Sequence, residues 1–297
     1  MRTRFVAEVS SNHQRDLERA LAFVDSAAEI GCAAVKFQQF RIRELFSSEA
    51  LRHAPHLLER ERWELPEEFN VELARRARER GIAFASTPFY LGAVEALAPH
   101  VDFFKVASYQ LLWHELLAAV ARTGRSIVLA TGMATLEEVR AALVCLREHG
   151  CRELELLHCV SAYPTPVEQA NLAAIESLRR SFDLPTGWSD HTREPEVIER
   201  AVRRWGASLV EFHLDLDGRG DEYRGGHCWL PGQIAWVIKN LERAVPCELR
   251  RSHPSDGDGQ KLPRPAEAEE RDWRTDPSDG LRPLLATRRR LVKQAVP

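Results

Sequence analysis

Short β-rich apolar runs alternate with longer amphipathic stretches along the chain, and the alternation repeats eight times. The short runs are RFVAEV (4–9), AAVKFQ (33–38), IAFAST (82–87), DFFKVA (102–107), SIVLAT (126–131), LELLHC (154–159), PTGWSD (185–190) and SLVEFH (208–213). Between them, segments such as DLERALAFVDSAAEIG and TLEEVRAALVCLREHG space their apolar residues as helices do. Several close on a glycine suited to a left-handed cap: Gly31, Gly81, Gly124, Gly150 and Gly206. Strand alternating with helix predicts a parallel sheet. Eight such units fit a closed (β/α)8 barrel, an α/β TIM barrel, better than an open doubly wound sheet. No G-x-G-x-x-G follows the first run, which argues against a dinucleotide-binding fold.

Two stretches break the rhythm. Residues 40–65 form a long insertion after the second strand, and residues 250–280 are polar and rich in Pro, Gly, Asp and Arg. The expected division is a barrel over 1–249, carrying the insertion, and a polar tail over 250–297. Trp273 and the turn-like DPSDG (276–280) predict that the tail docks on or near the barrel mouth, against the plainer reading of a loosely ordered tail. It is too short for a conventional second domain.

Composition changes this picture little. A net charge of −3 gives no electrostatic reason to expect nucleic acid or anionic lipid as a partner. No run of 18 or more apolar residues occurs, and the N-terminus turns polar too early for a signal peptide. Cys32, Cys145, Cys151, Cys159, Cys228 and Cys247 are scattered without a C-x-x-C pair. They are expected to be reduced thiols in a cytoplasmic protein.

A barrel keeps its chemistry at the C-terminal ends of its strands. Those ends carry Glu8, Asn12, His13, Lys36, Gln38, Ser86, Thr87, Lys105, Ser108, Gln110 and Thr131 in the first half. His158, Ser161, Tyr163, Ser189, Asp190, His191, Glu211, His213, Asp215 and Asp217 follow in the second. Lys36 and Lys105 sit inside otherwise apolar strands, where an unpaired ammonium is costly. They predict either a structural ion pair or a bound phosphate or carboxylate, with Thr87, Ser108, Ser161 and Ser189 as neutral donors. His191 and His213 end adjacent strands, which lie about 5 Å apart. Each could be an ordinary hydrogen-bonded core residue, but together they could hold one divalent ion, Zn, Mn, Fe or Co, with positions open to substrate. Such a site does Lewis-acid work on a carbonyl.

The motifs that carry these residues resemble the sialic acid synthase family in order and spacing. They are AEVSSNH (7–13), AVKFQQF (34–40), STPF (86–89), FKVAS (104–108), ATGMATLEEV (130–139), LLHCVSAYPTP (156–166), GWSDHT (187–192) and EFHLDLD (211–217). The resemblance spans roughly residues 5–245. It implies a barrel that condenses phosphoenolpyruvate with an acylated amino sugar such as N-acetylmannosamine. A divalent ion, usually manganese or magnesium, is implied at His191 and His213. Lys36, Thr87, Lys105, Ser108 and Ser189 match residues that hold the phosphate and carboxylate, with Gln38 beside them, and Glu8 is the implied proton-handling group. Tyr163 matches a sugar contact.

The chain departs from the family pattern on the sugar side. Gln110 stands where a sugar-binding Glu is usual, and Ser161 where Asn is common. The segment GRGDEYRGGHCWLP (218–231) leaves the sugar-side carboxylate open among Asp217, Asp221 and Glu222. The family's C-terminal antifreeze-like domain, which lends an arginine to the neighbouring subunit, is expected to be absent. That leaves open a homodimer without a swapped domain. Closure of the mouth then falls to three segments. The insertion offers Arg52, Arg62 and Trp63, the 218–231 loop Glu222, Arg224 and His227, and the tail Trp273 and Arg274. Competing expectations are a metal-dependent pyruvate aldolase, a Schiff-base aldolase on one lysine, and a non-catalytic sugar- or phosphate-binding homologue.

Overall fold

The structure, a computed structural model, describes residues 2–241 and 252–294. Eight parallel strands close on themselves in sequence order, with the first paired to the last. They are β1 (Arg4–Glu8), β2 (Ala34–Gln39), β3 (Ala83–Pro88), β4 (Phe103–Val106), β5 (Ser126–Ala130), β6 (Leu154–Cys159), β7 (Thr186–Asp190) and β8 (Leu209–His213). This is the expected TIM barrel, and each strand ends within one residue of its predicted limits.

Helices α1 (Leu17–Ile30), α2 (Ile42–Leu45), α3 (Ser48–His53), α4 (Phe69–Glu79), α5 (Leu91–Leu97) and α6 (His114–Arg122) accompany the first half. The second half has α7 (Leu136–Glu148), α8 (Ala174–Phe182), α9 (Pro195–Arg203) and α10 (Pro231–Asn240), and the tail has α11 (Ala268–Asp272) and α12 (Leu285–Gln294). Local chemistry explains the helix ends. The Asp16 side chain accepts the Arg19 N–H at the start of α1, and Thr135 and Glu138 form a reciprocal capping box on α7. All five glycines singled out as caps have φ between +63° and +96°.

Strand periodicity places the polar residues. Val6, Ala34, Leu209 and the partly buried Phe103 belong to a small apolar cluster with Val128 and Leu157, separate from the main core. Two residues further along the same strands stand Glu8, Lys36, Glu211 and Lys105. Side chains two apart share a face, so these four project into the barrel above an apolar plug. Outward-facing Trp188, Phe84, Phe104 and Phe212 are fully buried against the helices.

The insertion folds into α2, α3 and a 3-10 helix, Pro55–Trp63. The tail is stitched to it and to the strand ends. Phe46 and Arg282 form a parallel bridge, with the Arg282 N–H donating to Leu45 and its carbonyl accepting from Ser47. The Thr275 N–H donates to the Tyr109 carbonyl, and the Glu267 carboxylate accepts from the Met133 and Ser161 N–H groups, at 2.7 and 2.8 Å. Cys32, Cys145, Cys159 and Cys228 are buried free thiols, Cys151 is half-buried and free, and Cys247 lies outside the described residues. No helix among the described residues is long and apolar enough to cross a membrane.

Gly187 on β7 leaves no room for a side chain, because a Cβ there would run into the Leu209 carbonyl oxygen of β8 and the Leu157 side chain. Gly187→Ala is expected to cost about 2–3 kcal/mol of stability, since both obstacles belong to the closed barrel. Urea unfolding checks this.

Candidate active site at the barrel mouth

A cavity of about 230 Å³ opens at the C-terminal ends of the strands. Its floor is a chain of alternating buried charges. The Lys36 ammonium contacts the Glu8 carboxylate, lies 3.7 Å from Glu211 and donates to the Thr87 hydroxyl at 3.2 Å. Lys105 reaches the other Glu211 oxygen at 3.2 Å, and the Ser189 hydroxyl donates to that same oxygen at 2.8 Å. Glu8 is oriented further by the Ser10 N–H at 2.8 Å and the Gln38 amide at 3.0 Å. Burial pushes the Lys36 ammonium down to about 7, against the pull of Glu211. Burial would raise Glu211, but Lys105 and Lys36 outweigh it and hold the carboxyl well below the usual range.

Imidazoles occupy the β7–β8 side. The ring centroids of His191 and His213 are 5.4 Å apart, and those of His213 and His227 are 4.7 Å apart. His191 Nδ1 lies 2.7 Å from the Val160 carbonyl, which assigns the proton to Nδ1 and leaves the Nε2 lone pair, 3.5 Å from the Ser189 hydroxyl, as the ring's acceptor. Glu222 accepts from Ser10 at 2.5 Å and lies 3.0 Å from His213 Nδ1 and 3.6 Å from His227 Nε2. Burial holds His191 and His213 below the ordinary histidine range, so both rings are neutral near pH 7. Ligand atoms of His213, Glu222, His227 and Cys228 all lie within 4.8 Å of one another, a group able to hold a metal ion. Burial raises the Cys228 thiol, which leaves the two imidazoles and the carboxylate as its stronger donors. Tyr163 packs against His191 with centroids 4.2 Å apart.

The remaining predicted residues divide. Glu8, Lys36, Gln38, Lys105, Tyr163, His191, His213 and Glu222 line the cavity. Thr87 and Ser189 stand behind it, bonded to Lys36 and Glu211. Ser108 lies against Cys159 and accepts the Gly132 N–H, while Ser161 is fully buried over Glu267. Gln110 is fully buried and donates to Thr275 of the tail instead of lining the cavity. Asp217 is bound by Arg19 outside the mouth, and Asp221 by Trp63 and Arg62, so Glu222 is the one of the three carboxylates that faces inward. Trp63 lines the opening, whereas Trp273 packs edge-on against Phe46 and Arg274 binds Glu138 of α7.

The chain is similar to known proteins over most of its length. The NeuB family matches residues 23–245. The chain belongs to the NeuB family. It is 35% identical over 268 residues to an uncharacterized protein of Methanocaldococcus jannaschii, covering 89% of this chain and 75% of that one. It is 35% identical over 230 residues to the N,N'-diacetyllegionaminic acid synthase of Campylobacter jejuni, covering 73% and 68%. The crystal structure of a sialic acid synthetase from Leptospira borgpetersenii, in complex with citrate, superposes with a TM-score of 0.75 at 29% identity, covering 91% and 90%.

Within this NeuB-family barrel, three residues carry more of the site than sequence reasoning gave them. Glu211 counterbalances both lysines; its position two before His213 on β8 was a usable signal. His227 joins the imidazole group from a loop whose spacing announced nothing. Arg282 enters the cavity wall from the tail. Removing the Glu211 charge leaves two buried ammonium groups with one counter-ion. Glu211→Gln is expected to lose about 3 kcal/mol or more of folding stability, measured by chemical denaturation near neutral pH.

Proposed function

We propose that the chain condenses phosphoenolpyruvate with the open-chain aldehyde of an amino sugar, giving a 3-deoxy-2-keto sugar acid and inorganic phosphate. The observation that carries this is one cavity with two buried lysines on its floor and neutral imidazoles beside a carboxylate on its β7–β8 side. The names of the Campylobacter and Leptospira relatives support the reading.

The donor set suits a hard or borderline divalent ion, manganese or magnesium by the family resemblance, held by His213, Glu222 and His227 with His191 Nε2 facing them. When bound, it supplies Lewis-acid polarisation of the aldehyde. Lys36 and Lys105 bind the phosphate and carboxylate and orient the enol carbon toward the aldehyde. The enol π pair forms the new C–C bond while the aldehyde's C=O pair moves onto its oxygen, which takes up a proton, and water then adds at the cationic C2. Glu8, held by Ser10 and Gln38, accepts the proton that this water loses. The C2 hydroxyl then gives up its proton to the departing phosphate as the C–O bond at C2 breaks, leaving the ketone. Tyr163, packed on His191, flanks the acceptor.

Phosphate release from phosphoenolpyruvate, manganese and a panel of aldoses tests the whole reading. Acceptor-independent release, or none with any acceptor, would sink it. Excess chelator, or His213→Ala, is expected to abolish turnover while circular dichroism stays unchanged; full activity in chelator would exclude the metal role.

The Lys36 ammonium must be charged to hold the anion, and in the free protein it loses its proton through about 7. The kcat/KM for phosphoenolpyruvate is therefore expected to fall about tenfold per pH unit above that point and to be flat in this group's contribution below it. Lys105→Met is expected to raise the KM for phosphoenolpyruvate roughly ten- to a hundredfold, with little change in that for the sugar. A pH profile together with steady-state kinetics checks both.

A further inference from the structure

Besides its histidines and tyrosines, the cavity is lined by seven ionisable side chains: Glu8, Glu211, Glu222, Lys36, Lys105, Arg60 and Arg282. The carboxylates are all engaged, Glu8 and Glu211 with the lysines and Glu222 with Ser10, His213 and His227. Arg282 is not. Its residue is 9% exposed, and its Nε and Nη2 are buried without a hydrogen-bond partner among the described residues. The guanidinium carbon lies 3.9 Å from the Tyr109 ring centroid and 5.5 Å from that of Phe89. Ring faces satisfy the plane of a guanidinium, while its N–H groups point outward from the edge and stay free for an acceptor.

The surroundings make that vacancy specific. The backbone of Arg282 is fixed by its bonds to Leu45 and Ser47, which keeps the side chain on the cavity wall. Phe40, Ile42, Leu45, Phe46 and Phe89 line the same wall and lower the local polarity, which strengthens any charge pairing there. Glu270, the nearby acid, is already taken by the Tyr109 hydroxyl. Arg60 adds a second cation to the lining. Tyr109 and Phe89 follow β4 and β3, three or four strands around the barrel from the imidazoles at β7 and β8, so Arg282 faces the imidazoles from the opposite side of the mouth.

We propose that Arg282 binds the acceptor, and that this acceptor is an aldose carrying an anionic group, a phosphate monoester or a carboxylate, at the end remote from its aldehyde. The proposal rests on the condensation reading above, which puts the aldehyde at the imidazoles. It identifies the substrate class by the one buried cation of the cavity whose guanidinium edge, at Nε and Nη2, has no hydrogen-bond partner among the described residues.

The test compares three acceptors, with phosphoenolpyruvate and manganese present: a neutral acylamino aldohexose, its terminal phosphate ester and the corresponding uronic acid. The wild-type protein is expected to prefer one anionic acceptor over the neutral one by about ten- to a hundredfold in kcat/KM. Which of the two it prefers tells phosphate from carboxylate. Arg282→Gln is expected to erase most of that preference with the KM for phosphoenolpyruvate unchanged, and Arg282→Lys to keep part of it. Equal use of neutral and anionic acceptors would overturn the proposal. So would an Arg282→Gln variant that loses phosphoenolpyruvate affinity instead. If no acceptor is turned over, the condensation reading fails by itself. Calorimetric titration of the sugar phosphate and the uronic acid then still decides: weaker binding to a folded Arg282→Gln supports the site, and equal binding removes it.

Discussion

Glu211 is the residue on which the site depends. Two ammonium groups inside one barrel cost several kcal/mol each in desolvation unless a counter-ion is close. Glu211 reaches Lys105 with one oxygen and Lys36 with the other, so β2, β4 and β8 are drawn to one point. The arrangement is a charged pocket held ready at the cost of mutual neutralisation. Any anion entering here must compete with a carboxylate that is already there, which favours a ligand of higher charge over a neutral one. The apolar plug beneath, built by Val6, Ala34, Val128, Leu157 and Leu209, keeps water from relaxing these charges from below.

Around that floor the mouth is chemically divided. Its β7–β8 side carries the imidazoles and Glu222, and the opposite side carries aromatic rings and arginine. A substrate spanning the two must be polar at one end and able to meet a cation at the other. The division arises because different parts of the chain build it. Strand ends and the loops that follow them build the floor, the histidine side and the rings of Phe89 and Tyr109, whereas the insertion and the tail add the remaining apolar wall and the arginines.

This origin also explains what could be read in advance. Strand and helix positions follow from periodicity, since a parallel strand buried on both faces and a helix buried on one leave different apolar spacings. Lys36, Lys105, His191 and His213 stood out because an ionisable residue inside or at the end of an apolar run must find a partner there. The outer wall left no such trace. Arg282 is one of several arginines in a polar tail, and the bridge to Phe46 carries it to Tyr109. Gln110 misled for the same reason: its position in a motif pointed to a sugar, while in three dimensions Thr275 of the tail is its partner. Among Asp217, Asp221 and Glu222, the choice needed the folded path of the loop, because Arg19 and Trp63 draw the first two away.

Glu267 has a consequence of another kind. Its single carboxylate accepts N–H groups from Met133 and Ser161, in the loops that follow β5 and β6, as well as from Arg264 in its own segment. Those loops also carry Gly132, bonded to Ser108, and the Val160 carbonyl that sets the tautomer of His191. Seating of the tail and the shape of the mouth are thus two readings of one equilibrium. By thermodynamic reciprocity, whatever a ligand gains from the seated form it returns as tighter seating. Occupancy of the cavity then becomes measurable at a distance, as slower hydrogen exchange at the amides of Met133 and Ser161.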